Sequence, residues 1–249
     1  MRLPFLGFIL SNLTYQRGQI EWALWRSFRP MGSRDDGPSP VFKTRIKRLL
    51  DLDRDLDVSG LAVKPPTDYA FVPSSPGGSG FEAGYAASDV FALAIALDLL
   101  NIGFKQGEIV FVMRWLREVL DDWYPDLIAR PSLMDRQKRL ASHFPKLPRY
   151  EPGNGRVALA DARVFLILNR IEITEVMASA IPTSKPSKAE FLEPEVFEGL
   201  MALNARLHHL MPLHRRSVIV IEMTAVAQAV ALFLSEAPIV PRGRPRHEA

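Results

Sequence analysis

The clearest pattern along the chain is a pair of helical apolar patterns near its middle. Residues 88–103 are apolar almost all round, which predicts a helix central to its domain, capped by Ser88 and stopped by Gly103. From about Gln106 to Trp123, the residues Ile109, Val112, Met113, Leu116 and Leu120 fall on one face of a second helix. Upstream, Ile20, Leu24 and Phe28 with Trp25 predict a short amphipathic helix. Phe42, Ile46, Leu49 and Leu50 then recur at helical spacing through a basic segment. Residues 30–40, rich in Pro, Gly and Ser, read as the linker between them. In residues 64–84, Tyr69-Ala70-Phe71-Val72 precedes Pro76-Gly77-Gly78-Ser79-Gly80, which predicts a hairpin with a flexible tip.

The second half is patterned differently. Residues 125–155 are polar, punctuated by proline and closed by the turn signal Gly153-Asn154-Gly155, as expected of a domain boundary. Val164-Phe165-Leu166-Ile167-Leu168 with Ile171 and Ile173 reads as a buried strand, and residues 178–190 as a polar loop. A helix from about Pro194 to Leu210, a strand over Val218–Ile221 and a closing helix over Ala225–Leu234 follow. Two strands and two helices make a small α+β domain, and the fold class expected for the whole chain is α+β. The expected division is an arm and linker over 1–40, a helical domain over 41–125 and a linker over 126–155. The α+β domain then covers 156–238, and a flexible basic tail 239–249. There are no internal repeats.

The amino-terminal run Arg2 to Leu10 is too short to span a bilayer, which takes ~20 apolar residues. No small-x-small cleavage site follows it, so a strand or docking arm, or else a translation-start artefact, is expected rather than a signal peptide. The apolar run at 90–102 is interrupted by Asp98, and no membrane partner is expected. The chain has 249 residues, of which 47% are hydrophobic and 24% charged, enough to bury a sizeable core. It has no cysteine, which excludes disulfides, cysteine-ligated zinc and thiol catalysis and fits a reducing, cytoplasmic setting.

The net charge of +3 and the isoelectric point near 9.3 matter less than where the charge lies. The first fifty residues carry Arg2, Arg17, Arg26, Arg29, Arg34, Lys43, Arg45, Lys47 and Arg48 against Glu21, Asp35 and Asp36. Arg242, Arg244 and Arg246 close the chain. Basic ends around a nearly neutral middle suit a polyanionic partner. Within the 43–57 segment the bases precede Asp51, Asp53, Asp55 and Asp57, the order that opposes the helix dipole. Something other than helix stability is expected to have placed them there.

Enzymatic signatures fall short. Asp51-x-Asp53-x-Asp55 opens like a calcium loop, but Leu56 and Ala62 stand where glycine and glutamate are needed, so a solvated helix end is expected. Gly77-Gly78-Ser79-Gly80 lacks the Lys-Ser/Thr of a phosphate loop and, with Phe81, the spacing of a hydrolase elbow. His208 and His209 are adjacent and diverge on a helix, while His143, His214 and His247 lie apart, so a structural role is expected and no metal or cofactor. An enzyme would need His208 or His209 to meet Glu172 or Glu175 in a deep pocket.

The tail Pro241-Arg242-Gly243-Arg244-Pro245-Arg246 resembles the AT-hook. Glycine lets the backbone press against the groove floor, proline extends the chain, and the two core arginines reach along the groove. The resemblance implies contact with the AT-rich minor groove, whose narrow form concentrates negative potential. A second resemblance lies in residues 85–109. Tyr85, Asp89, Val90, Leu93, Leu99, Ile102, Gly103, Phe104, Glu108 and Ile109 match the spacing of MerR-type winged-helix regulators. There tyrosine closes the wing, Gly-Phe turns the corner, and glutamate sits in the first turn of the next helix. The family's Thr-Leu-Arg-Tyr-Tyr run is not present upstream, where the helix bearing Lys43, Arg45, Lys47 and Arg48 stands instead.

Together these imply a non-enzymatic DNA-binding protein, a MerR-like winged-helix domain followed by a small α+β domain, acting as a cytoplasmic transcriptional regulator. The tail residues Arg242, Gly243, Arg244, Pro245 and Arg246 would take the minor groove, and Lys43, Arg45, Lys47 and Arg48 the phosphates. The MerR resemblance also implies a homodimer. The alternative is an interaction or assembly protein on a MerR-like scaffold that has lost DNA recognition.

Overall fold

The computed structural model describes residues 13–29, 37–57, 64–72, 84–131, 163–168, 194–210 and 218–239. The apolar amino-terminal run, the glycine-rich hairpin tip, the Gly153–Gly155 turn and the arginine tail lie outside these residues. Among them the chain forms six helices and a three-stranded sheet, so the class is α+β.

Helix α1 spans Arg17–Ser27 and α2 spans Pro40–Asp55. Ser39 caps α2 by accepting from the Phe42 N–H at 3.2 Å, and Pro40 at the first position costs no hydrogen bond. Helix α3 covers Ala87–Ile102. Its start is tied by the Asp89 carboxylate, which accepts from the Ala86 N–H at 2.6 Å, so Asp89 and not Ser88 is the capping side chain. Its stop is Gly103 at φ +100°, a left-handed conformation that a Cβ would strain. There the Phe104 N–H donates back to the Leu99 carbonyl at 3.1 Å and the Phe104 ring is buried. Helix α4, Gln106–Ala129, opens with the Glu108 carboxylate accepting from the Lys105 N–H at 3.0 Å.

Helix α4 runs past the expected end at Trp123 and through Pro125. Proline forfeits one hydrogen bond there, but Tyr124 and Leu127 on either side of it are buried and hold the turn in the core. The final carbonyls are met from outside, since Gln228 Nε2 donates to the Leu127 and Arg130 carbonyls at 3.3 and 2.9 Å.

The sheet has the order β2-β1-β3, all antiparallel, with β1 over Val164–Leu168, β2 over Glu195–Glu198 and β3 over Ile219–Glu222. Strand β2 falls where the sequence pattern predicts the first turn of a helix. The helix, α5, instead starts at Leu200, after Gly199 at φ +82°. Phe165 opposite Phe197 and Leu166 opposite Val196 show what outweighs the helix preference of the segment: cross-strand pairing with a buried β1. One face of the sheet, Phe165 and Ile167, packs on Leu203 of α5; the other, Val164, Leu166 and Leu168, joins the main core.

The closing helix α6, Met223–Glu236, is capped by Glu222 and packs against α1, α3 and α4. One buried cluster therefore draws on both sides of the polar stretch at 132–162, from Tyr15 through Phe91 and Phe111 to Leu166 and Val230. Helix α3 lies at its centre, with Val90 to Leu97 and Leu99 all buried, as its all-round apolar pattern predicts.

The first arm of the expected hairpin is not a strand. Residues 70–72 are bent, and two N–H groups turn inward: Ala70 and Phe71 donate to the Asp53 carboxylate at 2.9 and 3.0 Å. Tyr85 pairs with Tyr15 rather than with 69–72, through reciprocal bonds of 2.8 and 3.0 Å. Asp53 is thus fully buried, not at a solvated helix end, and its partner is Arg114 Nε of α4 at 3.1 Å. Arg114 also donates to the carbonyls of Asp53 and Leu56, closing off the end of α2.

Candidate nucleic-acid interface

The bases of α2 do not share one face. At 100° per residue, Lys43, Lys47 and Arg54 fall within an arc of about 40°, while Arg45 and Arg48 lie about 100–200° round from them. Ile46, Leu49, Leu50 and Asp53 take the buried side, and Lys43, Arg45, Lys47 and Arg48 are all exposed. Arg45 leans toward α3, with Nη1 3.5 Å from Asn101 Oδ1. Lys43 and Lys47 instead border a cleft between α1 and α2.

That cleft holds about 380 Å³ and is lined by Arg17, Glu21, Lys43, Thr44, Lys47, Asp51 and Arg54. Four cations face two carboxylates. Glu21 is held by Arg17 Nε at 2.6 Å, one turn along α1. Asp51 is held by Arg54 on one side and by Lys47 Nζ at 3.8 Å on the other. Lys43 has no charged partner among the described residues. Once the pairs are counted, the cleft keeps two positive charges. Spacing along α2 exposes Arg54 as a member of the Lys43–Lys47 stripe, a signal the sequence reading passed over. Arg17 arrives only through the packing of α1 beside α2, which no local pattern encodes.

A second cleft of about 380 Å³ lies on the other side of Arg54, lined by Arg54, Leu56, Asp57, Lys64, Asp68, Tyr69 and Arg114. It keeps no surplus positive charge, because Arg114 is spent on Asp53 and Arg54 on Asp51, and Asp57 and Asp68 remain against Lys64.

Of the corner residues at 85–109, Gly103, Phe104 and Glu108 stop one helix and start the next as expected, whereas Tyr85 pairs with Tyr15 and closes no wing among the described residues. Tyr85 is buried beside Tyr15, Gly103 ends α3, Phe104 plugs the turn and Glu108 opens α4, with Val90, Leu93, Leu99 and Ile109 in the core. Ile102 departs from this by being about half exposed. Asp89 is doubly used: besides its cap, it meets Arg117 at 2.5 Å, and Arg117 also binds Asp121 and the Ala70 carbonyl. Burial pushes the Asp89 carboxyl above its ordinary value, with Arg117 pulling the other way. Along the same helix, burial raises the Asp98 carboxyl to about 6.

His208 and His209 are exposed on α5, and among the described residues no three His, Asp or Glu side chains gather as metal ligands. His143, His214, His247, Glu172, Glu175 and the tail residues Arg242 to Arg246 lie outside the described residues. No described helix is long and apolar enough to cross a membrane. No protein-family model, curated protein or solved structure matches this chain.

Proposed function

We propose that this is a DNA-binding protein that regulates transcription in the cytoplasm, using a folded basic surface and an arginine tail in concert. The observation that carries the reading is the gathering of Lys43, Lys47, Arg17 and Arg54 on one exposed cleft with surplus positive charge. Phosphate contacts of this kind supply affinity and position the protein without reading sequence. The segment between α1 and α2, residues 28–39, is far longer than the three or four residues of a helix-turn-helix turn. Recognition of bases by α2 in the major groove is therefore not part of the proposal.

Sequence preference is assigned to Arg242-Gly243-Arg244-Pro245, which resembles the AT-hook and suits the AT-rich minor groove. A single hook binds weakly, and linking it to the cleft raises its effective concentration at the DNA. The MerR-like corner supplies the scaffold in this reading, and with it the expectation of a homodimer, which sedimentation equilibrium tests.

Fluorescence anisotropy with AT-rich and GC-rich duplexes across a salt series tests the assignment. Arg244→Ala is expected to abolish the AT preference, while Arg26→Ala, whose guanidinium packs over Trp22 and Phe233, leaves it intact. Equal losses from the two changes would sink the hook. A chain that binds neither duplex at moderate salt points to the assembly protein instead.

A further inference from the structure

We infer that the cleft between α1 and α2 is the seat of a single phosphate group, built by Arg17 and Arg54 together with Lys43 and Lys47. The inference rests on the nucleic-acid reading above and narrows it, moving the contact from the whole 43–48 run to one cleft and two further arginines.

The arrangement is that of an anion seat rather than a solvated helix face. The two arginines are held in place: Arg17 Nε is on Glu21, and Arg54 donates Nε to the Leu50 carbonyl at 3.3 Å while also meeting Asp51. Each guanidinium has five donors, so the anchoring bonds leave others for a ligand. The two lysines supply the charge that the carboxylates do not cancel. Lys43 and Lys47 stand one turn apart on the same stripe as Arg54, so they converge on the mouth of the cleft from one side while Arg17 closes it from α1. A cation is disfavoured there, because Glu21 and Asp51 are both already engaged.

The neighbouring cleft gives an internal contrast. It has a similar volume and shares Arg54, but Arg54 and Arg114 are already paired with Asp51 and Asp53, and Asp57 and Asp68 outweigh Lys64, so no surplus positive charge draws an anion to it. Lys64 is exposed on that second cleft, and Lys105 is exposed at the α3–α4 corner. Changing these two removes as much charge as changing Lys43 and Lys47, without touching the seat.

The test compares the full chain with Lys43→Gln/Lys47→Gln and with Lys64→Gln/Lys105→Gln. Duplex binding is followed by anisotropy across a salt series, and binding of inorganic pyrophosphate by calorimetry. Circular dichroism checks that all three chains melt alike. The cleft pair is expected to weaken duplex binding about tenfold at 0.1 M salt and to lower the log–log salt slope by about one, the share of one phosphate contact. The control pair should leave the slope unchanged, and Arg17→Gln should reproduce part of the loss.

If the duplex binds and both pairs lose equally, the cleft assignment is overturned while the DNA reading stands. If the unaltered chain does not bind duplex but binds pyrophosphate through Lys43 and Lys47, the seat is upheld for a free phosphate and the DNA reading fails. Binding of neither duplex nor pyrophosphate overturns both.

Discussion

Replacing Asp53 by alanine is expected to cost more stability than replacing its partner Arg114, and the structure says why. The Asp53 carboxylate is fully buried and accepts three bonds, from the Ala70 and Phe71 N–H groups at 2.9 and 3.0 Å and from Arg114 Nε at 3.1 Å. Alanine leaves two buried backbone donors without an acceptor, each worth about 1–3 kcal/mol. It also strands a buried guanidinium, and breaking a buried pair from one side costs about 3–5 kcal/mol. These terms overlap, so the expected loss is about 4–5 kcal/mol, a large part of the ~5–15 kcal/mol that holds a domain together. Arg114→Met is milder. Asp53 keeps both N–H partners, and the carbonyls of Asp53 and Leu56 tolerate losing a donor better than an N–H tolerates losing an acceptor. A loss of about 3 kcal/mol is expected, with the Thr67 bond to the Arg114 backbone carbonyl intact at 2.7 Å. Urea unfolding at pH 7, followed by far-UV circular dichroism and extrapolated to water, measures both. Asp53→Asn, which keeps one acceptor, serves if the alanine variant does not fold. A loss below about 1 kcal/mol for Asp53→Ala, or a greater loss for Arg114→Met, refutes the reasoning.

Two further changes probe α3. Because burial lifts the Asp98 carboxyl to about 6, the folded state holds its proton more tightly than the unfolded chain. The resulting penalty is absent below the ordinary carboxylate value, grows as pH rises through about 6 and is constant above it. Asp98→Asn should therefore stabilise by about 1–2 kcal/mol at pH 7, after allowing for residual solvent contact, and hardly at all at pH 4. An equal gain at both values in paired urea titrations counts against a half-buried carboxylate with a raised pKa. Gly103→Ala, at φ +100°, should lower the melting temperature through a loss of about 1 kcal/mol. An unchanged calorimetric midpoint rules out the strained left-handed stop.

Much of the helical scaffold was legible because it is locally encoded. Gly103 and Glu108 mark a stop and a start whatever else the chain does, and the apolar positions around α3 require burial on every side. Reading failed where a distant partner outweighs local preference. Glu195 to Glu198 extend because β1 needs a neighbour, and α4 passes Pro125 because Gln228 of α6 supplies its last carbonyls with a donor. The segment 69–72 has strand-like composition but bends, since the Asp53 carboxylate outcompetes a strand for its N–H groups.

The candidate site divides in the same way. The sequence by itself determined that bases crowd residues 43–48, that Arg242, Gly243, Arg244, Pro245 and Arg246 form a hook-like run, and that cysteine chemistry is excluded. Tertiary structure alone decided which bases stand together. Helical phase turned Arg45 and Arg48 away from Lys43 and Lys47, and the packing of α1 against α2 brought Arg17 to them. Charge along a chain is a one-dimensional property, whereas the field at a cleft depends on distances across elements and on which carboxylates lie near enough to cancel it.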